Sequence, residues 1–238
     1  MMSTTAIVII MVTSLSYNLM LKIINWRMIY IKNKIYYVMD TMCGWCYGFS
    51  DVITKIHEKH KDKYDFEIIP GGMWVGDEVK KMDTSLSEYI KTNNVRVAAL
   101  TSVHFGEAFN KNVLGGSNRV LDSLPGAKAM VLLQKLNRDM AFDFLKKIQE
   151  AFFVNGQDMN DITVYTKIAE SFGISKGDFE KIFLSQELSE ETFDCFKKGQ
   201  KLGVQSFPTV ILEKGNKRTI IAQGYSSFEE LDKILLRE

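Results

Sequence analysis

Residues 40–49 read DTMCGWCYGF and hold two cysteines, Cys43 and Cys46, in a C-x-x-C pattern. The run IYYV at 35–38 precedes them; it is β-branched or aromatic throughout and apolar on both faces, as in a buried parallel strand. After them, apolar residues recur at helical spacing over 48–60, with Lys and Glu between them. The sequence therefore predicts a strand that leads into a helix beginning at or near Cys43.

A second apolar run, 66–69, ends at Pro70-Gly71-Gly72 and completes a strand–helix–strand unit. Helical periodicity then fills most of residues 77–203, and Ser85-x-x-Glu88 predicts a capping box at the start of the first helix there. We predict an α/β fold that carries a large all-helical insertion in this range. The helical segments are 85–99, 126–137, 139–154, 161–172, 176–184 and 189–202.

The last part of the chain returns to strand patterns. Residues 209–212 and 219–222 are rich in β-branched side chains and flank the turn KGNK at 214–217, which predicts a hairpin. Residues 227–236 follow with helical spacing, and Ser227-x-x-Glu230 predicts a capping box at their start. We predict one domain over residues 34–236, without repeats or a flexible linker.

Charge and cysteine content exclude some classes of function. The 238-residue chain has 30 Lys and Arg against 29 Asp and Glu, so its net charge of +1 creates no field that favours nucleic acid as a partner. Three cysteines are too few for the disulfide framework of a small secreted scaffold. A catalytic, metal-binding or incidental role is left for them, and we expect no cofactor.

Residues 1–33 form an apolar extension with three open interpretations. The apolar run 6–12 resumes at 19–24, but neither Lys nor Arg stands before it, which is untypical of a secretory signal. As a membrane anchor the extension is short, and the positive residues after it would keep the body in the cytoplasm. Translation that starts at Met28 is the third interpretation. We expect a cytoplasmic protein, periplasmic only if the extension is a signal peptide, with membrane contact only if it is retained.

A C-x-x-C pattern at a helix start suits thiol chemistry. Unpaired backbone N–H groups and the helix dipole favour a thiolate there, so Cys43 is the candidate nucleophile at the exposed end of the helix. Cys46, one turn deeper, is placed to attack a mixed disulfide formed at Cys43. Gly44 and Trp45 carry no ionisable group and support the pair through helix geometry and solvent exclusion.

The same pattern also builds zinc sites, and His57 and His60 follow on the same helix. Zinc-binding histidines are usually separated by about three to five residues, whereas only two separate this pair. Both histidines lie in the lysine-rich run IHEKHK at 56–61. We therefore predict two surface histidines and no metal site.

Phe207-Pro208-Thr209 stands at the entrance of the strand 209–212, where a proline cannot donate to the sheet. Together with the cysteines at a helix start, the helical insertion and the closing hairpin and helix, it forms a pattern that resembles the DsbA family. The FrnE-like branch is the more similar, since residues 40–49 and the loop Gly71-Gly72-Met73-Trp74 have near counterparts there. The resemblance covers residues 35–236.

This resemblance implies a thioredoxin-like fold and a thiol-disulfide oxidoreductase or isomerase. Its partners would be protein or peptide thiols and disulfides, with glutathione as a further partner. It implies a cis peptide bond at Phe207-Pro208 beside the cysteine pair, where backbone polar groups align a substrate peptide.

Secreted oxidases of the family often have a histidine inside the cysteine pair. Gly44-Trp45 carries no positive charge, so we do not expect strong oxidant behaviour.

Other residues near these motifs have two interpretations each. Asp40 either tunes or relays protons to the thiols, or it caps the helix or anchors the loop. Trp74 and the pair Phe152-Phe153 either line a substrate groove or belong to the core; Trp74 is the better groove candidate because a Gly-Gly loop presents it. Cys195 lies between two aromatic residues, which favours a buried and inert thiol.

Two other functions stay open. A glutathione-using transferase or isomerase of the kappa type shares the inserted helical domain, but it activates the thiol of glutathione and needs no second active-site cysteine. A non-catalytic binding module would keep the fold with structural or metal-bound thiols. The intact pair Cys43 and Cys46 favours disulfide exchange over both.

Overall fold

The computed structural model describes residues 33–116 and 119–238. Apart from Asn33, the predictions for the N-terminal extension lie outside these residues. Within the described ranges, no helix combines the length and apolar character needed to cross a membrane.

In chain order the α-helices and strands are β1 (Asn33–Met39), α1 (Gly44–His60), β2 (Tyr64–Pro70), β3 (Lys80–Lys81), α2 (Thr84–Thr101), α3 (Glu107–Phe109), β4 (Val120–Leu121), α4 (Leu124–Leu136), α5 (Ala141–Phe153), α6 (Ile162–Ser171), α7 (Lys176–Phe183), α8 (Gln186–Lys201), β5 (Thr209–Lys214), β6 (Lys217–Gln223) and α9 (Phe228–Arg237).

A four-stranded sheet in the order β2-β1-β5-β6 lies at the centre of the fold. β1 pairs with β2 in parallel and with β5 in antiparallel orientation, and β5 and β6 form the predicted hairpin. β1 is buried on both faces: Tyr37 and Met39 pack in the main core, while Tyr36 and Val38 pack in a smaller apolar cluster. This double burial accounts for the unbroken apolar run that predicted the strand.

Residues 77–203 hold α2 to α8, as their helical periodicity predicts. They also hold a ladder of two very short strands, in which Lys80 lies opposite Leu121. The sequence analysis did not predict this ladder, because strands of two residues have no readable periodicity. The ladder joins the segment before α2 to the segment before α4.

Two helix starts differ from the predictions. Asp83 caps α2 by accepting a hydrogen bond from the Leu86 N–H at 2.8 Å, so the capping box predicted at Ser85 is wrong. Ser185 caps α8, which begins at Gln186 rather than at 189. In both cases a residue slightly earlier in the chain satisfies the free N–H groups of the first turn. The box predicted for α9, between Ser227 and Glu230, is present.

The prediction of two surface histidines is wrong for His60. Only 4% of this residue is exposed, and its Nε2 lies 2.8 Å from Asp232 Oδ1 of α9. The ring of His57 stacks on Phe142 of α5, with 4.5 Å between the centroids. Helical spacing placed both residues on a solvated face, but α9 and α5 cover that end of α1. The histidines therefore contact neighbouring helices.

Two glycines allow α2 to approach the first turns of α1. A Cβ on Gly48 would lie 2.7 Å from Val97 Cγ1, and a Cβ on Gly44 would lie 2.9 Å from Asn94 Oδ1. Both distances are shorter than normal van der Waals contacts, so larger residues would push the helices apart. Because Gly44 directly follows Cys43, this close packing brings α2 to the cysteine pair.

We expect Gly48→Leu to lower the free energy of unfolding by about 1 to 3 kcal/mol, because the new side chain overpacks the contact with α2. The thermal midpoint should fall by roughly 2 to 4 °C for each kcal/mol in a chain of this size. Gly177→Leu is the matched control, since a Cβ there meets nothing within 4 Å. Equal midpoints for the two variants would contradict close helix packing at Gly48.

Candidate active site

Cys43 occupies the N-cap position of α1, and its Sγ accepts a hydrogen bond from the Cys46 N–H at 3.4 Å. The sulfur therefore lies at the positive end of the helix dipole, where a thiolate is stabilised. Only 7% of Cys43 is exposed, less than the exposed helix end predicted from the sequence. The first turn of α1 is covered by the loop before β5 and by the inserted helices. Local sequence patterns do not predict this covering.

Cys46 lies one turn deeper and has no exposed surface. Burial, followed by the hydrogen bond and charge of Cys43, raises the pKa of the Cys46 thiol well above its ordinary value. Cys46 is therefore protonated at neutral pH, and it loses its proton only during the exchange. This difference in environment agrees with the predicted order, in which Cys43 attacks first.

Asp40 joins the loop before α1 to the loop after β2. Its Oδ1 accepts a hydrogen bond from the Met42 N–H at 2.9 Å, and its Oδ2 accepts one from the Met73 N–H at 2.8 Å. Burial raises the pKa of this carboxyl, against the lowering effect of the two N–H groups. Of the roles considered from the sequence, these contacts fit the loop anchor. Asp40 does not cap α1, because Cys43 holds that position.

Ser123, at the start of α4, holds the loop that carries Trp74. The Trp74 N–H donates to Ser123 Oγ at 3.1 Å, and the Ser123 N–H donates to the Trp74 carbonyl at 2.8 Å. The sequence analysis did not single out Ser123, because its partner is 49 residues away. These two hydrogen bonds place the Trp74 loop beside the cysteine pair.

The loop before β5 brings Phe207 and Pro208 to the same place. Cys43 Sγ lies 3.8 Å from the Phe207 carbonyl oxygen, and the Phe207–Pro208 peptide bond is cis. The Phe207 ring packs on Gly71, where a Cβ would lie 2.1 Å from the ring. The predicted residues Cys43, Phe207 and Pro208 are thus neighbours, although 164 positions separate Cys43 from Phe207.

A cavity of about 120 Å³ opens beside Cys43. Most of its lining is apolar or aromatic, and none of the lining residues is charged. Trp74 lies in its wall, and so does Phe152 of α5, while Phe153 stacks on Tyr47 in the core. Asn93 and Asn94 of α2 are the amide side chains in the lining. The lining comprises Met42, Cys43, Gly44, Trp45, Met73, Trp74, Tyr89, Ile90, Asn93, Asn94, Val97, Phe109, Val113, Leu121 and Phe152.

Cys195 lies outside this cavity lining and is half-buried, so its predicted burial is only partial. Burial, with the nearby charge of Glu67, raises the pKa of its thiol to about 11. Such a thiol is protonated at neutral pH and reacts slowly. Among the described residues, no group of three or more His, Cys, Asp or Glu side chains is arranged to hold a metal ion.

The central sheet, the dithiol at a helix start and the inserted helices define a thioredoxin-like protein with a helical insertion. A family model for the DSBA-like thioredoxin domain matches residues 34–235. The chain therefore belongs to the DSBA-like thioredoxin domain family, whose members are thiol-disulfide oxidoreductases. The resemblance to the DsbA family inferred from the sequence is confirmed.

Solved structures support the same fold. A candidate protein disulfide isomerase from Nitrosomonas europaea is 27% identical, with a TM-score of 0.79 over 87% of this chain and 97% of the other. The cytosolic disulfide reductase DsbM from Pseudomonas aeruginosa is 23% identical, with a TM-score of 0.73 over 86% and 98% of the two chains. The same reductase solved with GSH gives a TM-score of 0.71 at 23% identity over 86% of this chain and 100% of the other. Comparison with curated proteins finds no match.

We expect Asp40→Ala to lower the free energy of unfolding by about 2 to 4 kcal/mol, because it leaves the buried N–H groups of Met42 and Met73 without an acceptor. Urea unfolding measures the loss. The control is Asp161→Ala, which removes an exposed carboxylate that accepts from the Thr163 N–H and should cost less. A fully stable Asp40→Ala protein with slow thiol exchange would instead favour the proton-relay role.

Alkylation rates show whether the reactivity of each thiol follows its exposure or its ionisation. At pH 7 we expect iodoacetamide to modify Cys43 before Cys195, although Cys195 is the more exposed residue. In Cys43→Ser, modification of Cys195 should accelerate as pH rises towards its pKa of about 11, because the thiolate is the reacting form. Peptide mass spectrometry locates the label. Faster labelling of Cys46 or Cys195 than of Cys43 at pH 7 would contradict the assignment.

Proposed function

We propose that this protein exchanges disulfides with protein or peptide substrates through Cys43 and Cys46. The observation that carries the proposal is the unequal environment of the two thiols: one caps a helix beside an open cavity, and the other is buried one turn deeper. Membership of an oxidoreductase family agrees with this chemistry. The likeness of residues 40–49 to the FrnE-like branch supports a protein-disulfide reductase or isomerase over a strong oxidase.

In the proposed reaction the Cys43 thiolate attacks one sulfur of a substrate disulfide. A bond forms between Cys43 and that sulfur, the substrate S–S bond breaks, and the leaving thiolate takes up a proton. Cys46 then loses its proton and attacks Cys43 Sγ, which releases the second substrate thiol. The protein ends with a Cys43–Cys46 disulfide, and the substrate has gained two electrons and two protons. Each step is reversible, so an oxidised protein and a dithiol substrate run the exchange backwards.

The surroundings of Cys43 support a peptide-like substrate. The Phe207 carbonyl accepts from the Cys43 thiol, and once Cys43 is ionised this carbonyl is free to accept from a peptide N–H. Trp74 and Phe152 provide apolar contact area. Glutathione is included as a substrate or reductant, because the DsbM reductase of similar fold was solved with GSH. A kappa-type transferase needs no second thiol, and the placement of Cys46 favours exchange over that reaction.

We expect Cys46→Ser to accumulate a mixed disulfide, because Cys43 attacks while the resolving thiol is missing. After incubation with oxidised glutathione, intact-mass spectrometry should show one glutathionyl group, which peptide mapping places on Cys43. Cys43→Ser should form no adduct at Cys46 and should lose disulfide reductase activity.

Cys195→Ser is the control for this pair and should react as the wild-type protein does, because Cys195 lies outside the lining of the cavity. A stable adduct on Cys46 in the Cys43→Ser protein would reverse the assigned roles. Full reductase activity in Cys43→Ser would contradict the proposed function.

A further inference from the structure

Asn94 presents a polar group that the fold does not use. The residue is 8% exposed, and its Nδ2 is buried without a hydrogen-bond partner among the described residues. The neighbouring Asn93 differs, because its Nδ2 donates to the Tyr89 carbonyl at 2.9 Å. A buried amide donor without a partner is unfavourable for the folded protein, and its acceptor must come from a water or a ligand outside the described residues.

The position of Asn94 indicates which ligand this is. Its side chain lines the cavity that opens beside Cys43, and its Oδ1 would lie 2.9 Å from a Cβ placed on Gly44. The amide is therefore packed against the first residue of α1, next to the nucleophile. A molecule joined to Cys43 through its own sulfur would place the atoms adjoining that sulfur in the same cavity.

The rest of the lining restricts the chemistry of that molecule. Apart from the Cys43 thiolate the cavity has no charged side chain, so it offers no ion pair to a substrate carboxylate. Its apolar walls, which include Trp74, Ile90 and Phe152, favour an uncharged substrate segment. In a substrate, the uncharged hydrogen-bond acceptor nearest to a cysteine sulfur is the backbone amide carbonyl beside that cysteine.

We propose that Asn94 is a substrate-binding residue whose Nδ2 donates a hydrogen bond to the amide carbonyl next to the substrate cysteine. This inference rests on the proposed function and adds the chemical group that the site recognises. A peptide or protein disulfide carries such a carbonyl, and so does glutathione disulfide. A small disulfide such as cystamine, whose ammonium groups donate but do not accept hydrogen bonds, has no acceptor for Asn94, although its sulfur atoms still reach Cys43.

The test compares three substrates in Asn94→Leu, which keeps a side chain of similar size without the amide. We expect kcat/KM for glutathione disulfide, for insulin, or for both to fall about fivefold, the effect of one neutral hydrogen bond. The rate with cystamine, which has no hydrogen-bond acceptor beside its sulfur atoms, should stay within about twofold of wild type. The thermal unfolding midpoint should stay equal or rise, because the variant no longer buries an unpartnered amide.

Two further variants complete the design. Asn94→Ala cannot crowd Gly44 and should give the same substrate pattern as Asn94→Leu. Thr92→Leu places the same new side chain at an exposed position of α2 outside the cavity lining, and it should match wild type on all three substrates. A fall with only one amide substrate identifies whether that carbonyl belongs to glutathione or to a protein.

The proposal is overturned if both Asn94 variants retain wild-type rates with insulin and with glutathione disulfide. It is also overturned if the cystamine rate falls equally, or if the unfolding midpoint drops, since either result assigns Asn94 a structural role. Wild-type protein that is inactive on all three substrates would contradict the proposed function itself, and this inference with it.

Discussion

A buried carboxylate, that of Asp40, holds together the two loops from which the site is built. One of its oxygens accepts from the Met42 N–H just before α1, and the other accepts from the Met73 N–H in the loop after β2. Hydrogen bonds to a charged acceptor are stronger than neutral ones, and the one from Met42 is buried while the one from Met73 is partly buried. The position of Cys43 and that of the cavity wall at Trp74 therefore depend on the same side chain.

The two thiols differ because the helix start places them in different surroundings. Cys43 has a backbone N–H and the dipole of α1 directed at its sulfur, whereas Cys46 is enclosed by core side chains. A pair with equal surroundings would have no preferred order of attack. Here the environment of each sulfur suits a different step: Cys43 at the cavity suits the first attack, and Cys46 beneath it suits the resolving attack. This asymmetry is the physical basis of the proposed exchange.

The helical insertion completes the site rather than simply covering the sheet. α2 contributes Asn94 and α5 contributes Phe152 to the cavity beside Cys43. The glycines Gly44 and Gly48 let α2 approach closely enough for this, since neither position has room for a side chain. The cavity beside Cys43, where we propose that substrate binds, is therefore lined by residues from the insertion as well as from the sheet-forming part of the chain.

The sequence by itself determined the order of the longer strands and helices, the helix start at Cys43 and the family, because these depend on periodicity and on recognisable motifs. It missed the helix starts at Thr84 and Gln186, where nearby residues compete as caps. Only the tertiary structure decided that Asn94 lines the cavity beside Cys43 and that His60 is buried against Asp232. These contacts join residues far apart in the chain. Which side chains meet is set by the packing of whole elements, and no local pattern records it.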